Sequence, residues 1–148
     1  MECIILVGIP ATGKTEFYIN RLFKTHMRIN LDMIKTRKKE AILVDACLKA
    51  RQSFVVDNTN PTIMDRKKYL VKAKAAGFKT ICYYFESTLG DAITRNDRRK
   101  GIEKVPIVAI RSILARLEIP SLEEGFDELY FVHIANGRKF VIERQFEN

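Results

Sequence analysis

Apolar positions along this chain follow two rhythms. "CIILVG" is an unbroken apolar run of strand length, as expected of a strand buried on both faces of a parallel sheet. "MRIN" predicts a second, short strand ending near Asp32, "FVVD" (54–57) a third, "KTICYYF" a fourth and "ELYFVHI" a fifth. Between them the spacing turns helical. "KTEFYINRLFKTH" repeats through Phe17, Leu22 and Phe23, and "KKEAILVDACLKARQ" is helix-forming. "NPTIMDRKKYLVKAKAAG" reads as a helix with Pro61 ahead of its start and Gly77 at its stop. A polar, basic helix-like stretch runs from about Thr88 to Lys100, and Pro106 opens another helix to about Glu118. Asn136-Gly137 between two β-type runs signals a hairpin, so the last strand pairs antiparallel at the sheet edge. Strands alternating with helices imply right-handed crossovers. The expected architecture is a single α/β domain over residues 1–148: three layers, a mostly parallel sheet and a C-terminal antiparallel edge hairpin.

Composition narrows this picture. A hydrophobic fraction of 47% supports a sizeable core without disulfides or metal. Cys3, Cys47 and Cys82 each lie in an apolar or helix-like run, an odd count with no metal-ligand spacing. They read as free, buried thiols in a reducing compartment, hence a cytoplasmic location. The opening apolar run is too short for a membrane span and carries Glu2 rather than a basic flank, so neither a signal peptide nor a membrane partner is expected. Lys and Arg number 26 against 18 Asp and Glu, a net +8 that suits a polyanionic partner without requiring one. His26 and His133 have no pattern of a metal site or proton relay and read as structural or exposed.

The chemistry concentrates in "LVGIPATGKTEFY". Gly8, four residues and then Gly13-Lys14-Thr15 follow an apolar strand and open a helix, the context a phosphate-binding loop requires. Backbone N–H groups across Gly8, Ala11, Thr12 and Gly13, with the positive helix end, cradle an anion. Lys14 then reaches the β/γ oxygens of a nucleoside triphosphate, and the Thr15 hydroxyl holds Mg²⁺. Ligands in such sheets sit outside the carboxyl ends of the strands, which selects Asp57 and Asp32. Asp57 suits orientation of Mg²⁺, and Asp32 suits accepting a proton from an attacking hydroxyl or capping a helix. "TRNDRRKGIEKVP" gathers Arg95, Arg98, Arg99, Lys100 and Lys104. Arg95 and Arg99 are four apart, so on a helix they share a face able to clamp a polyphosphate.

In order along the chain, "GIPATGKT", "INLD", "VVDNTNP" with Arg66 five residues on, and "RNDRR…KVP" resemble the kinase domain of 5′-polynucleotide kinases. "IPSLEEGFDELYFV" is similar to the C-terminal stretch of the animal enzymes of that family, so the resemblance spans nearly the whole chain. It implies a P-loop kinase fold and transfer of the ATP γ-phosphate, with Mg²⁺, to a 5′-hydroxyl end of DNA or RNA. By matching positions, Lys14 and Thr15 hold the phosphates and Mg²⁺, and Asp32 is the general base. Arg99 is the lid arginine with Arg95 supporting it, and Arg98 is the neighbouring alternative. Asp57, Asn58 and Thr59 line the floor between metal and acceptor. Leu31 stands where the family often has arginine, and Lys35 stands where an arginine faces the acceptor's 3′-side phosphate. Lysine keeps that charge and loses the bidentate fork. The chain has no Asp-x-Asp phosphatase signature, so no 3′-phosphatase activity is expected.

Three functions share these residues. One is a polynucleotide 5′-kinase. Another is a kinase of the same fold acting on a nucleoside, a sugar or an aminoacyl-tRNA hydroxyl. The third is a nucleotide-gated nucleic-acid-binding module. An open basic groove around Lys35 and Asn58 separates the first from the second.

Overall fold

The most apolar run of the sequence becomes the central strand. In a computed structural model, described over residues 1–101, 104–135 and 139–147, β1 (Glu2–Val7) leads into α1 (Lys14–Arg21). β2 (Met27–Ile29), α2 (Leu31–Ile34), α3 (Arg37–Ala50), β3 (Phe54–Asp57) and α4 (Ile63–Ala75) follow. β4 (Lys79–Phe85), α5 (Leu89–Asp97), α6 (Ile107–Arg116), a 3-10 turn (Leu122–Glu124), β5 (Glu128–Ala135) and β6 (Lys139–Gln145) complete the chain. The strands form one sheet ordered β2-β3-β1-β4-β5-β6. Every pair is parallel except β5 with β6.

Alternation along β1 feeds two cores. Cys3, Ile5 and Val7 join Phe54 and Val56 under α3 and α4, where Val44, Tyr69, Leu70 and Ala73 are buried. Ile4 and Leu6 point the other way, onto Phe17, Tyr18 and Leu22 of the α1 layer and onto Phe85 and Val132. A smaller cluster of Ile9, Ala92 and Ile110 seats α5 and α6 against the loop after β1. The three cysteines are buried and free. His26 pairs with Glu2 at 2.8 Å, and His133 is exposed. Among the described residues no helix is long and apolar enough to cross a membrane.

Three local expectations change. α2 was not foreseen; a single turn has too few residues to show a period. Its N-cap is Asn30, whose side chain accepts the Met33 N–H at 3.0 Å, so Asp32 is not the cap. α5 ends at Asp97, which leaves Arg99 beyond the helix and removes the shared helical face with Arg95. Asn136-Gly137 lies outside the described residues. The strands flanking it pair antiparallel as expected, with Ala135 opposite Lys139.

Candidate active site

Sheet register sets the site. Leu6 pairs with Asp57, so the loop leaving β1 stands beside the carboxylate ending β3. Gly8 is packed against β4: a Cβ there would lie 3.1 Å from both the Cβ and the carbonyl oxygen of Phe85. Gly13 adopts a left-handed φ of 91° just before α1 and abuts Ile134 and Phe140 of the edge hairpin. These two positions require glycine. The Lys14 ammonium folds back and donates to the carbonyls of Gly8 and Ile9, each at 2.9 Å. Burial lowers its pKa to about 8, while Asp57 raises it, Arg99 lowers it and Asp32 raises it.

A cleft of about 320 Å³ opens at the carboxyl ends of the strands. Its wall gathers Ala11, Thr12, Lys14, Thr15, Asp32, Asp57, Asn58, Thr59 and Arg99, most of the residues singled out from the sequence. Arg95, Arg98 and Lys35 are outside this wall. Lys35 ends α2 with a positive φ and is exposed. The basic residue the cleft does contain on that side is Arg37, the first residue of α3. Leu31, Val105 and Ile113 add an apolar wall.

Asp57 is 2% exposed. It accepts from the Thr15 hydroxyl at 3.3 Å and from Arg28 Nε at 2.8 Å, and Arg28 also donates to the Thr15 hydroxyl at 3.3 Å. Thr15 and Asp57 are hard oxygen donors on adjacent elements. That is the small protein share Mg²⁺ takes when phosphates and waters supply the rest, so the residues fit the ion.

Asp32 is placed by a chain of hydrogen bonds reaching deep into the core. Asn58 accepts the Leu31 N–H at 2.8 Å and donates to Glu40 at 2.9 Å. Glu40 also receives Tyr69 at 2.6 Å and Arg37 at 3.0 Å. Burial acts to raise the Glu40 carboxyl; bonds from Tyr69, Asn58 and Arg37 prevail and hold it below its ordinary value. One buried carboxylate thus steadies both the α2 turn and the cleft arginine.

Arg66 is fully buried. It donates to both Glu124 carboxylate oxygens, at 2.8 and 2.9 Å, and to the carbonyls of Asn60, Pro61 and Glu118. This arginine ties the "DNTNP" loop to the 118–124 segment, joining two stretches that carry the family resemblance. Sequence reading missed Arg28, Arg37 and Glu40 as site residues, because what joins them to the site is contact with other elements: Arg28 with Asp57 of β3, and the Arg37–Glu40 pair of α3 with Asn58 and Tyr69.

The chain as a whole is similar to known proteins. Over 129 residues, 84% of its length, the chain is 32% identical to a bifunctional polynucleotide phosphatase/kinase of Schizosaccharomyces pombe. It is 27% identical over 135 residues, 86% of its length, to a putative protein of the same description from Acanthamoeba polyphaga mimivirus. Its sequence relatives are polynucleotide phosphatase/kinases. The chain spans about a third of the length of each, 32% in both cases. No family model matches it. Among solved structures, Kti12 of Chaetomium thermophilum in complex with ADP-AlF3 superposes with a TM-score of 0.68 at 16% identity, covering 92% of both chains. A gluconokinase from Sinorhizobium meliloti gives 0.64 at 16% identity, covering 91% of this chain and 83% of that one. The expected P-loop kinase fold is borne out.

Proposed function

We propose that this chain is a kinase domain that transfers the γ-phosphate of ATP to the 5′-hydroxyl end of DNA or RNA. The observation that carries the proposal is one cleft holding the phosphate loop, Asp32, Arg37 and Arg99 together, in a relative of polynucleotide phosphatase/kinases. Backbone N–H groups of residues 11–15 bind the polyphosphate, and Lys14 leaves its own loop carbonyls for the phosphate oxygens. Thr15 and Asp57 would hold Mg²⁺, which neutralises charge on the phosphates when bound. Asp32 accepts the proton of the acceptor hydroxyl as that oxygen bonds to the γ-phosphorus. The bond from phosphorus to the β–γ bridging oxygen breaks, and ADP leaves. Arg99 faces the charge spread over the transferring group, a role worth roughly 10³–10⁵ in rate.

The mouth of the cleft supports a polymer acceptor. Arg37 has a side chain 55% exposed, and Lys68 lies beside the same Glu40 with a side chain 46% exposed. In this reading Arg37, rather than Lys35, meets the phosphate on the 3′ side of the acceptor nucleoside, with a fork that lysine lacks. Leu31, Val105 and Ile113 supply the apolar surface for its sugar and base.

Incubation with γ-labelled ATP, Mg²⁺ and a 5′-hydroxyl oligonucleotide, as DNA and as RNA, tests the proposal, with nucleosides and sugars in parallel. Label is expected on the 5′ end of an oligonucleotide. Asp32→Asn should lower transfer at least 10²-fold, the low end of what a positioned base contributes. Labelling of small molecules only would overturn the polynucleotide reading. Nucleotide binding without any labelled acceptor would overturn the kinase reading.

A further inference from the structure

Arg28 enters the site from β2, next to β3, and none of the phosphate-loop chemistry accounts for it. Its guanidinium is fixed from three sides: Nε on Asp57 at 2.8 Å, a second nitrogen on the Thr15 hydroxyl at 3.3 Å, and the carbon 5.9 Å from the centre of the Tyr18 ring. Asp57 is almost wholly buried, while the Arg28 side chain keeps 25% of its exposure and a route outward.

The arginine therefore grips the same two groups that would hold a divalent ion. Mg²⁺ needs oxygen ligands at about 2.0–2.1 Å in near-octahedral array, and here one positive charge already sits on both groups, with Arg28 Nε on Asp57 Oδ2 at 2.8 Å and a second guanidinium nitrogen on the Thr15 hydroxyl at 3.3 Å. A guanidinium and a dication in one partly buried place also repel strongly. We propose that Arg28 is a built-in counter-cation at the magnesium position, holding Asp57 and Thr15 in place and yielding them only when an ion arrives with nucleotide phosphates. The inference rests on the assignment of Thr15 and Asp57 as the metal-holding pair. Its consequence is an order of binding. Metal alone binds poorly, because the arginine already neutralises Asp57. Metal with a nucleotide binds well, because the phosphates add the negative charge that a second cation requires.

Mn²⁺ serves as the probe, its free concentration read by electron paramagnetic resonance, with and without ADP. The wild-type protein is compared with Arg28→Gln, Arg28→Lys and Asp57→Asn. Removing one charge this close to the ion should raise Mn²⁺ affinity of the nucleotide-free protein by about tenfold in Arg28→Gln. Arg28→Lys keeps the charge and should stay within about twofold of wild type. Asp57→Asn should weaken Mn²⁺ binding in the presence of ADP. Affinity in Arg28→Gln equal to or below wild type, or a tenfold gain in Arg28→Lys, would overturn the counter-cation role and leave the metal assignment standing. Unchanged Mn²⁺ binding in Asp57→Asn with ADP would overturn the metal assignment and the inference with it. Label transfer to oligonucleotides reports on the kinase reading separately.

Discussion

Lys14 shows how much one position can carry. Its ammonium is buried against its own loop, and burial, opposed by Asp57, lowers its pKa to about 8. The unfolded chain holds that proton up to the ordinary 10.5. Between these values the unfolded state binds more protons, so stability of the nucleotide-free protein should rise as pH climbs from about 8. Below about 8 the full cost of burying the charge is present. Polyphosphate favours the charged lysine, so nucleotide binding should take up nearly one proton near pH 9 and almost none at pH 7. Titration calorimetry in two buffers of different ionisation enthalpy measures that uptake, and Lys14→Met should abolish it. Uptake that persists in the variant would assign the proton to another group. Lys14 was legible because its motif is local. Arg28 and Glu40 were not, because an arginine or glutamate in a mixed run gives no sign that its partner waits 29 or 18 residues away.

At the scale of elements, the segment between α5 and α6 depends on Asn96. This residue is fully buried, donates to the Val105 carbonyl and accepts the Val105 N–H at 2.8 Å. It thereby replaces a backbone partner across the segment that carries Arg99, and Val105 itself lines the cleft. Asn96→Ala leaves both Val105 groups unpaired, a cost of about 1–3 kcal/mol concentrated in this segment. Faster proteolytic cleavage between residues 97 and 106 and roughly tenfold lower kcat/KM should follow; a remote misplacement can cost as much as 10²-fold. Unchanged cleavage would show that other contacts hold the segment. The sequence reading saw this asparagine only as part of a basic, helix-like stretch and carried the helix to Lys100. The actual end at Asp97 is dictated by packing: Asn96 turns inward to Val105, and the chain leaves the helix just after it.

For the whole molecule, net charge is the property that a polymer substrate feels. With a charge of +8, with Arg37 exposed in the cleft wall and with Lys68 exposed beside the same Glu40, binding of a strand should release counterions. KM for a 5′-hydroxyl oligonucleotide should therefore rise steeply between 50 and 200 mM salt, while KM for a single nucleoside acceptor stays nearly flat. Steady-state kinetics over that range checks the prediction. Equal salt dependence for both acceptors would show that the strand beyond its terminal nucleoside makes no ionic contact. The mostly parallel sheet was legible at this scale, since unbroken apolar runs separated by helical spacing admit few topologies. Strand order was not, because runs of similar composition do not state their neighbours.

The sequence by itself determined the strand–loop–helix phosphate cradle, the succession of strands and helices, and the placement of Asp32 and Asp57 after strands. Each is encoded within a few residues: glycine where the backbone must turn, apolar runs where both faces are covered. Tertiary structure alone decided the rest. Sheet register set Leu6 beside Asp57, the Glu40 network brought Arg37 rather than Lys35 into the cleft, and β2 delivered Arg28 to the Thr15–Asp57 pair. Those contacts join residues far apart in the chain, and only the folded sheet brings the buried charges close enough to select their partners.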